Sequence, residues 1–358
     1  MTQGAVTHTT ELARSAWKFD PPPNIFSIAM ATGIVSLAAE GAGMHAVAMA
    51  LLWLNAITYA ALWVLFAARL VQSPAEVRSD LRTHAKAPGF FTMVAATGVL
   101  GSQIVSLAGG FAIGKGLWFL ALGLWFALTY KVLPELMEVE EKPSLEKGLN
   151  GGWLLTVVAT QSICVLGCRI ATGFSREPAQ WVVFVSLAFW LVGAMLYIWL
   201  IALIFYRCLF LPLSPGDLAP PYWINMGAMA ISALAGISLV RNAALLPFLT
   251  EILPFVKGLT LLFWATATWW IPMLLALGFW RHLRRRYPLR YDHGYWAAVF
   301  PLGMYTVCTQ GLRRELGLVF LEMIPTIFVW IALGAWIATA VALAFHLIKK
   351  RPDRSTPT

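Results

Sequence analysis

Chemistry at neutral pH needs side chains that can exchange a proton, attack a substrate or hold a metal. The histidines are His8, His45, His84, His282, His293 and His346, and none pairs with another at ligand spacing inside an apolar run. The cysteines, Cys164, Cys168, Cys208 and Cys308, form no CxxC motif. They lie in or at the ends of apolar runs, where cysteine behaves as a small hydrophobe. The aspartates Asp20, Asp80, Asp217, Asp292 and Asp353 fall outside those runs, and the glutamates stand in loops or at run ends. No Ser-His-Asp or Cys-His set shares a face, and no phosphate-loop pattern accompanies the glycines. The sequence offers no catalytic constellation, no metal site and no cofactor site. An intramembrane enzyme is therefore the least favoured class.

What the chain does repeat is a pattern of small and aromatic residues. Residues 23–35 read PNIFSIAMATGIV and residues 88–100 read PGFFTMVAATGVL, 65 positions apart. The shared positions are Pro23 and Pro88, Phe26 and Phe91, then Ala31-Thr32-Gly33 and Ala96-Thr97-Gly98. A third copy keeps Ala159-Thr160, with Gln161 in place of glycine. Two readings fit. Small residues let helix backbones approach closely, so the triplets can serve packing alone. They can also line a narrow, nearly uncharged conduit. In such a conduit, helices broken by proline or glycine would aim free N–H groups and positive dipole ends at an anion. Gly227 and Pro301 are the candidate breaks in the later runs, and Phe300, just before Pro301, is the candidate plug. The candidate lining is Phe26, Ala31, Thr32, Gly33, Phe91, Ala96, Thr97, Gly98, Thr160, Gly227 and Pro301.

Lipid must surround the elements that position these residues. Hydrophobic residues make up 59% of the 358 and charged residues 12%, which excludes a water-soluble globule. Ten apolar runs approach or exceed spanning length: roughly 23–39, 45–70, 88–109, 112–132, 151–170, 180–206, 221–240, 255–280, 295–312 and 323–347. Residues 1–22 lack the apolar core of a signal peptide, so the first run is expected to act as the insertion signal. The net charge of +9 sits in short clusters between runs, as in the loops of membrane proteins, and does not point to nucleic acid. Nineteen lysines and arginines fall on the side of the termini and even loops, and seven on the other. That asymmetry places both tails, 1–22 and 348–358, in the cytoplasm of a multi-pass cell-membrane protein, with 23–347 as one transmembrane domain.

The runs then form five hairpins whose rising members begin near Pro23, Pro88, Gly151, Pro221 and Trp296, a spacing that suggests one hairpin copied along the chain. Rising members are rich in Gly, Ala, Ser and Thr, and returning members in tryptophan, which predicts an inner ring and an outer, lipid-facing ring. Glu40, Arg169, Arg241 and Glu322 read as interfacial anchors or as charges at a pore mouth.

Three segments, FSIAMATGIVSLA in the first run, PPYWINMGAMAIS in the seventh and WAAVFPLGMYT in the ninth, together resemble the tellurite-resistance/dicarboxylate transporter family. This family includes bacterial TehA, the yeast malate permease and sulfite efflux pump, and plant guard-cell slow anion channels. The resemblance covers about residues 20–347. It implies an all-α protein of ten transmembrane helices, paired as five hairpins with quasi-five-fold symmetry about a central pore, assembled as a homotrimer. It also implies a gating phenylalanine, matched here by Phe300, and small anions such as chloride, nitrate, sulfite or malate-like dicarboxylates as cargo. A passive anion channel is the first expectation. A C4-dicarboxylate (malate) or sulfite carrier, proton-coupled or uniport, is the alternative. The long soluble termini of the plant channels are absent.

Overall fold

The computed structural model describes residues 21–289 and 291–349, and the residues described contain helices and turns but no strand. Most of both tails, with Arg14, Lys18, Lys350, Arg351 and Arg354, and also Arg290, lie outside the described residues. Ten long helices follow one another: α1 (Ser27–Gly41), α2 (His45–Gln72), α3 (Thr92–Ala108), α4 (Phe111–Glu138), α5 (Leu155–Ile170), α6 (Arg176–Phe210), α7 (Ile224–Arg241), α8 (Leu253–Phe279), α9 (Trp296–Glu315) and α10 (Met323–Lys349). Counting the short turns that lead into them, eight of these are long and apolar enough to cross a membrane. The exceptions are α1, which is short at 15 residues, and α9, whose apolar content is diluted by polar residues.

Each odd helix is entered through a tight turn. Prolines supply it before α1, α3 and α7, because a proline at a helix start fixes φ where its missing N–H is not needed. Before α5 and α9 a side chain takes over. Asn150 Oδ1 accepts from the Gly152 amide at 2.8 Å, and Asp292 Oδ1 accepts from the Gly294 amide at 2.6 Å. This exchange of proline for an Asn or Asp turn is one reason the later copies are hard to align by eye. At the far end the hairpins close tightly. Gly109 and Gly317 take positive φ between paired helices, a conformation that a side chain would strain.

The odd helices pack in a closed cycle: α1 on α3, α3 on α5, α5 on α7, α7 on α9, and α9 back on α1. Each even helix lies outside, against its own hairpin mate, and also touches the next odd helix round. Burial follows the same division. The most apolar stretches containing α3, α5 and α7 are 78%, 94% and 89% buried, while those of the even helices are 17% to 39% buried. A helix apolar on all sides must be enclosed by protein or lipid. Here the odd set is enclosed by protein, and the even set is left with faces suited to lipid.

Several expectations need correction. Arg69 and Arg207, two of the nineteen basic residues counted with the loops and tails, instead sit buried near the ends of α2 and α6. Arg281 and Arg284 continue α8 as a short π-helical turn, Trp280–Arg284. Residues 133–138 of the expected fourth loop belong to α4, and the second loop holds a short helix, Pro74–Leu81. The tryptophans of the even helices do not all face lipid: Trp53, Trp199 and Trp330 are exposed, but Trp118, Trp125, Trp190 and Trp270 are buried. Their indole N–H groups need an acceptor that lipid cannot provide. Finally, no odd helix is broken at mid-length. Pro301 lies inside continuous α9 and withholds an N–H from the carbonyl of Ala297. That frees an acceptor, so the expected mid-helix N–H groups do not arise from it.

Candidate functional site

The cycle of odd helices encloses two spaces. At the end where these helices begin, a vestibule of about 640 Å³ is lined by Ser27 of α1, Thr92 of α3, Leu155 of α5, Ile224 of α7 and Ala297 of α9. Deeper lies a cavity of about 10 Å³, lined by Ile34, Val99, Ser162, Ile231 and Met304, with Leu37, Gly98, Ser102, Val165 and Leu234. Every helix contributes at matching positions, since each of the first five cavity residues stands seven places after its vestibule residue. Residues seven apart share a helix face. The starting residues are 65, 63, 69 and 73 positions apart, which supplies the alignment of the fourth and fifth copies that the sequence alone left open.

Between the two spaces the same face carries the residues three and four places on. The first set is Met30, Ala95, Val158, Gly227 and Phe300, and the second is Ala31, Ala96, Ala159, Ala228 and Pro301. All are buried. Phe300 is the one aromatic ring among small or flexible side chains. Its neighbour Pro301 fits because Gly227 has no side chain: a Cβ there would stand 2.7 Å from the proline Cγ. The chain thus seats a bulky Phe-Pro pair by deleting the side chain opposite it.

The triplet threonines are placed differently. Thr32 accepts from Trp336 Nε1 of α10 at 3.0 Å, and Thr160 accepts from Trp125 Nε1 of α4 at 2.8 Å. Thr97 meets the Tyr59 hydroxyl of α2 at 2.6 Å while donating to the Met93 carbonyl, so Tyr59 is the donor. The other two seams follow suit: Trp190 of α6 donates to the Ser232 carbonyl of α7 at 2.9 Å, and Trp264 of α8 donates to Thr309 of α9 at 3.0 Å. Thr32, Thr97 and Thr160 therefore join an even helix to the next odd one and line neither space. Interhelical hydrogen bonds of this kind contribute about 0.6 kcal/mol each in membranes.

The triplet glycines serve the inner contacts. A Cβ on Gly33 would stand 2.5 Å from Val99, on Gly98 2.8 Å from Ser162, and on Gly303 2.9 Å from Ile34. Three of the odd helices, α1, α3 and α9, thus offer a gap into which a cavity residue of the next helix fits, and Gly303 with Ile34 closes the cycle. Gly98 also lines the deep cavity. Phe26 packs edge-on against Tyr59, Trp63 and Phe66, with ring centroids at 6.1, 5.2 and 6.4 Å, and so faces α2. Phe91 is buried in the turn before α3.

Charge is confined to the vestibule, whose wall includes Arg69, Lys86, Lys147 and Arg207 against Asp80, Glu146 and Asp217. Arg69 and Lys86 both hold Asp80, at 2.5 and 2.8 Å. Arg207 donates to the Glu146 carbonyl at 2.9 and 3.2 Å, lies 3.5 Å from the Asp217 carboxylate and donates to the Tyr222 hydroxyl. Hydrogen bonds from Ser214, with the charge of Arg207, hold the Asp217 carboxyl below its ordinary range. The five helix N-termini open here too, and their partial positive charge favours an anion. Ser27 adds a buried hydroxyl without a hydrogen-bond partner. At the other ends of the odd helices, Glu40 pairs with His45, Arg241 with Glu315 and Glu322 with Arg313, while Arg169 donates to Ser106. Among the described residues, no group of three His, Cys, Asp or Glu could hold a metal ion.

The sequence does not single out Arg69 and Arg207, because an arginine at the edge of an apolar run looks like a loop charge. Sequence reading missed the buried amides Asn55 and Gln103, joined at 2.5 Å, because it searched for ionisable groups only.

Comparison with known proteins finds relatives among membrane proteins and transporters. An uncharacterized transporter of Methanocaldococcus jannaschii is 25% identical over 281 residues, covering 78% of this chain and 79% of that protein. A sulfite efflux pump of Trichophyton rubrum is 25% identical over 338 residues, 88% of each chain. An uncharacterized membrane protein of Mycobacterium tuberculosis is 43% identical over 145 residues, 40% of this chain and 73% of that protein. Residues 21–344, nearly all of the described chain, match the SLAC1 family, described as voltage-dependent anion channel, and the protein belongs to that family.

Proposed function

We propose that this protein is a passive pathway for small anions, running from the vestibule along the axis of the odd helices and occluded at Phe300. The observation that carries this reading is the alignment of vestibule, Phe300 level and deep cavity on one face of all five odd helices. In this reading all ten helices cross the cell membrane with quasi-five-fold symmetry, and both termini and the vestibule face the cytoplasm. Although α1 and α9 are individually poor spans, they cross inside a protein sheath where lipid does not judge them. Phe300, Pro301, Gly227, Ala31 and Ala96 form the constriction, and Gly98 lines the space beyond it. Subunits assemble as a homotrimer, as in the family that the sequence resembles.

Selectivity for anions arises at the mouth, from helix N-termini and arginines. The dry centre then favours ions that shed water readily. Because a sulfite efflux pump is among the relatives, sulfite heads the anions to test, with chloride, nitrate and malate beside it. Reversal potentials in planar bilayers under asymmetric gradients of these four anions test the proposal. A shift toward each permeant anion's equilibrium potential supports it. A second reading, a sulfite or C4-dicarboxylate carrier, draws on the same relative. Saturable exchange of labelled sulfite or malate in proteoliposomes, with no conductance, would establish the carrier and exclude the channel.

A further inference from the structure

A third cavity lies on the far side of the vestibule wall. It measures about 270 Å³ and opens between α8, the turn Pro220–Trp223 and the start of α9. Its wall is apolar: Leu218, Trp223, Leu274, Leu277 and Ala298, with Tyr295 at one side. Gly278 contributes no side chain, and a Cβ built there would meet nothing within 4 Å, so this part of the wall is open space.

One cation reaches into this apolar setting. Arg281 is 9% exposed, and its guanidinium donates to the Leu218 carbonyl and lies 4.5 Å from the Tyr287 ring centroid. Its Nε has no hydrogen-bond partner. A buried donor left unpaired is costly, and a charged one more so. Arg284, Arg285 and Arg286 follow at once, all exposed. Among the described residues no carboxylate forms an ion pair with any of these four arginines. The neighbouring surface of α8 is apolar, with Leu275 and Phe279 exposed, and Leu289 beyond the helix is exposed as well.

We infer that this cavity is a binding site for an anionic phospholipid: an acyl segment fills the space beside Gly278, and the phosphate takes the free Nε–H of Arg281 and the charge of Arg284 and Arg285. A soluble anion would gain nothing from the apolar wall, and a neutral lipid nothing from the arginines. An anionic amphiphile satisfies both, and a polybasic stretch at a membrane helix end is the usual setting for such recognition. Ala219 and Tyr222 line both this cavity and the vestibule, so the lipid would brace the vestibule wall from outside. The inference needs only that the chain is embedded in a membrane. It stands or falls separately from conduction through the axis.

The test uses the full chain, delipidated in neutral detergent. Retained phosphatidylglycerol and phosphatidylcholine of equal acyl composition are counted by native mass spectrometry. Wild type should hold phosphatidylglycerol preferentially. Arg281→Gln should weaken retention by about fivefold, the effect of one arginine charge at a membrane surface. Gly278→Leu should abolish retention by filling the cavity. Gly278→Leu places its side chain in open space and favours the helix, so it decides the matter even if Arg281→Gln fails to fold. Equal retention of the two lipids overturns the proposal. Unchanged retention by Gly278→Leu also overturns it, as does displacement of the lipid by inorganic phosphate alone.

Discussion

The vestibule and the deep cavity are built from the same five helices, seven residues apart, yet they differ in nearly every physical respect. The vestibule is roomy, carries seven charged side chains and receives five helix N-termini. The deep cavity, at about 10 Å³, has room for one water at most, and its wall is almost wholly aliphatic, with Ser102 and Ser162 as its hydroxyls. Burying a charge in an apolar medium is expensive, so paired charges sit where water can still reach them. The centre offers no charge, only a narrow and apolar space. If the proposed pathway holds, the difference teaches that attraction and restriction are separate tasks, given to successive turns of the same helices.

The largest effect that would sharpen this contrast concerns Phe300. Replacing it with alanine should remove the one large ring between the two spaces and raise anion conductance about tenfold or more, equivalent to lowering a barrier by roughly 1.4 kcal/mol. Single-channel recording in bilayers checks this, and unchanged currents at normal surface expression would remove Phe300 from the constriction. Gly98→Leu should act on both stability and passage. Its Cβ would stand 2.8 Å from Ser162 Cβ and 3.1 Å from the Ser162 backbone oxygen, which cannot rotate away. A loss of about 1–3 kcal/mol in stability is expected for overpacking of this kind, with conductance falling even in the Phe300→Ala background. Thermal denaturation in detergent and paired recordings measure the two effects.

At the mouth, the double change Lys86→Gln and Lys147→Gln should lower conductance by about two- to threefold at low ionic strength and by little near 1 M salt, where the Debye length shrinks to about 3 Å. A salt-independent loss would place these lysines in the constriction rather than in an attracting field. The smallest effect belongs to the seams. Trp125→Phe removes the donor to Thr160 and should cost about 0.6 kcal/mol, read as a small drop in melting temperature, with selectivity unchanged. Altered selectivity would mean that Thr160 faces the ion after all.

How much could be read beforehand varies with the residue. The inner and outer division was legible, because Gly, Ala, Ser and Thr gather on the odd helices and close packing needs small residues. For the threonines of the repeated triplet the sequence left packing and pore lining both open. Their hydroxyls fit a polar lining and a hydrogen-bonded seam equally well, and only the indoles and the tyrosine on the neighbouring helices distinguish the two. Arg69 and Arg207 count among the loop charges in the sequence because it does not show where a helix ends once its apolar stretch gives out. Copies four and five were opaque because glycine and proline at 227 and 301 replaced the small and aliphatic residues found earlier. Those replacements make sense only as a pair, with the Gly227 gap receiving the Pro301 ring.

By itself the sequence determined the solvent, the hairpin count and the small-residue character of one set of helices. These follow from composition and from the local demand that every backbone group be satisfied within lipid. Tertiary structure decided which side of each helix turns inward. A period of 3.6 residues fixes which side chains stand together, but not what they stand against. That choice came from neighbours far along the chain, such as Gly303 meeting Ile34, whose contact brings the last hairpin back to the first.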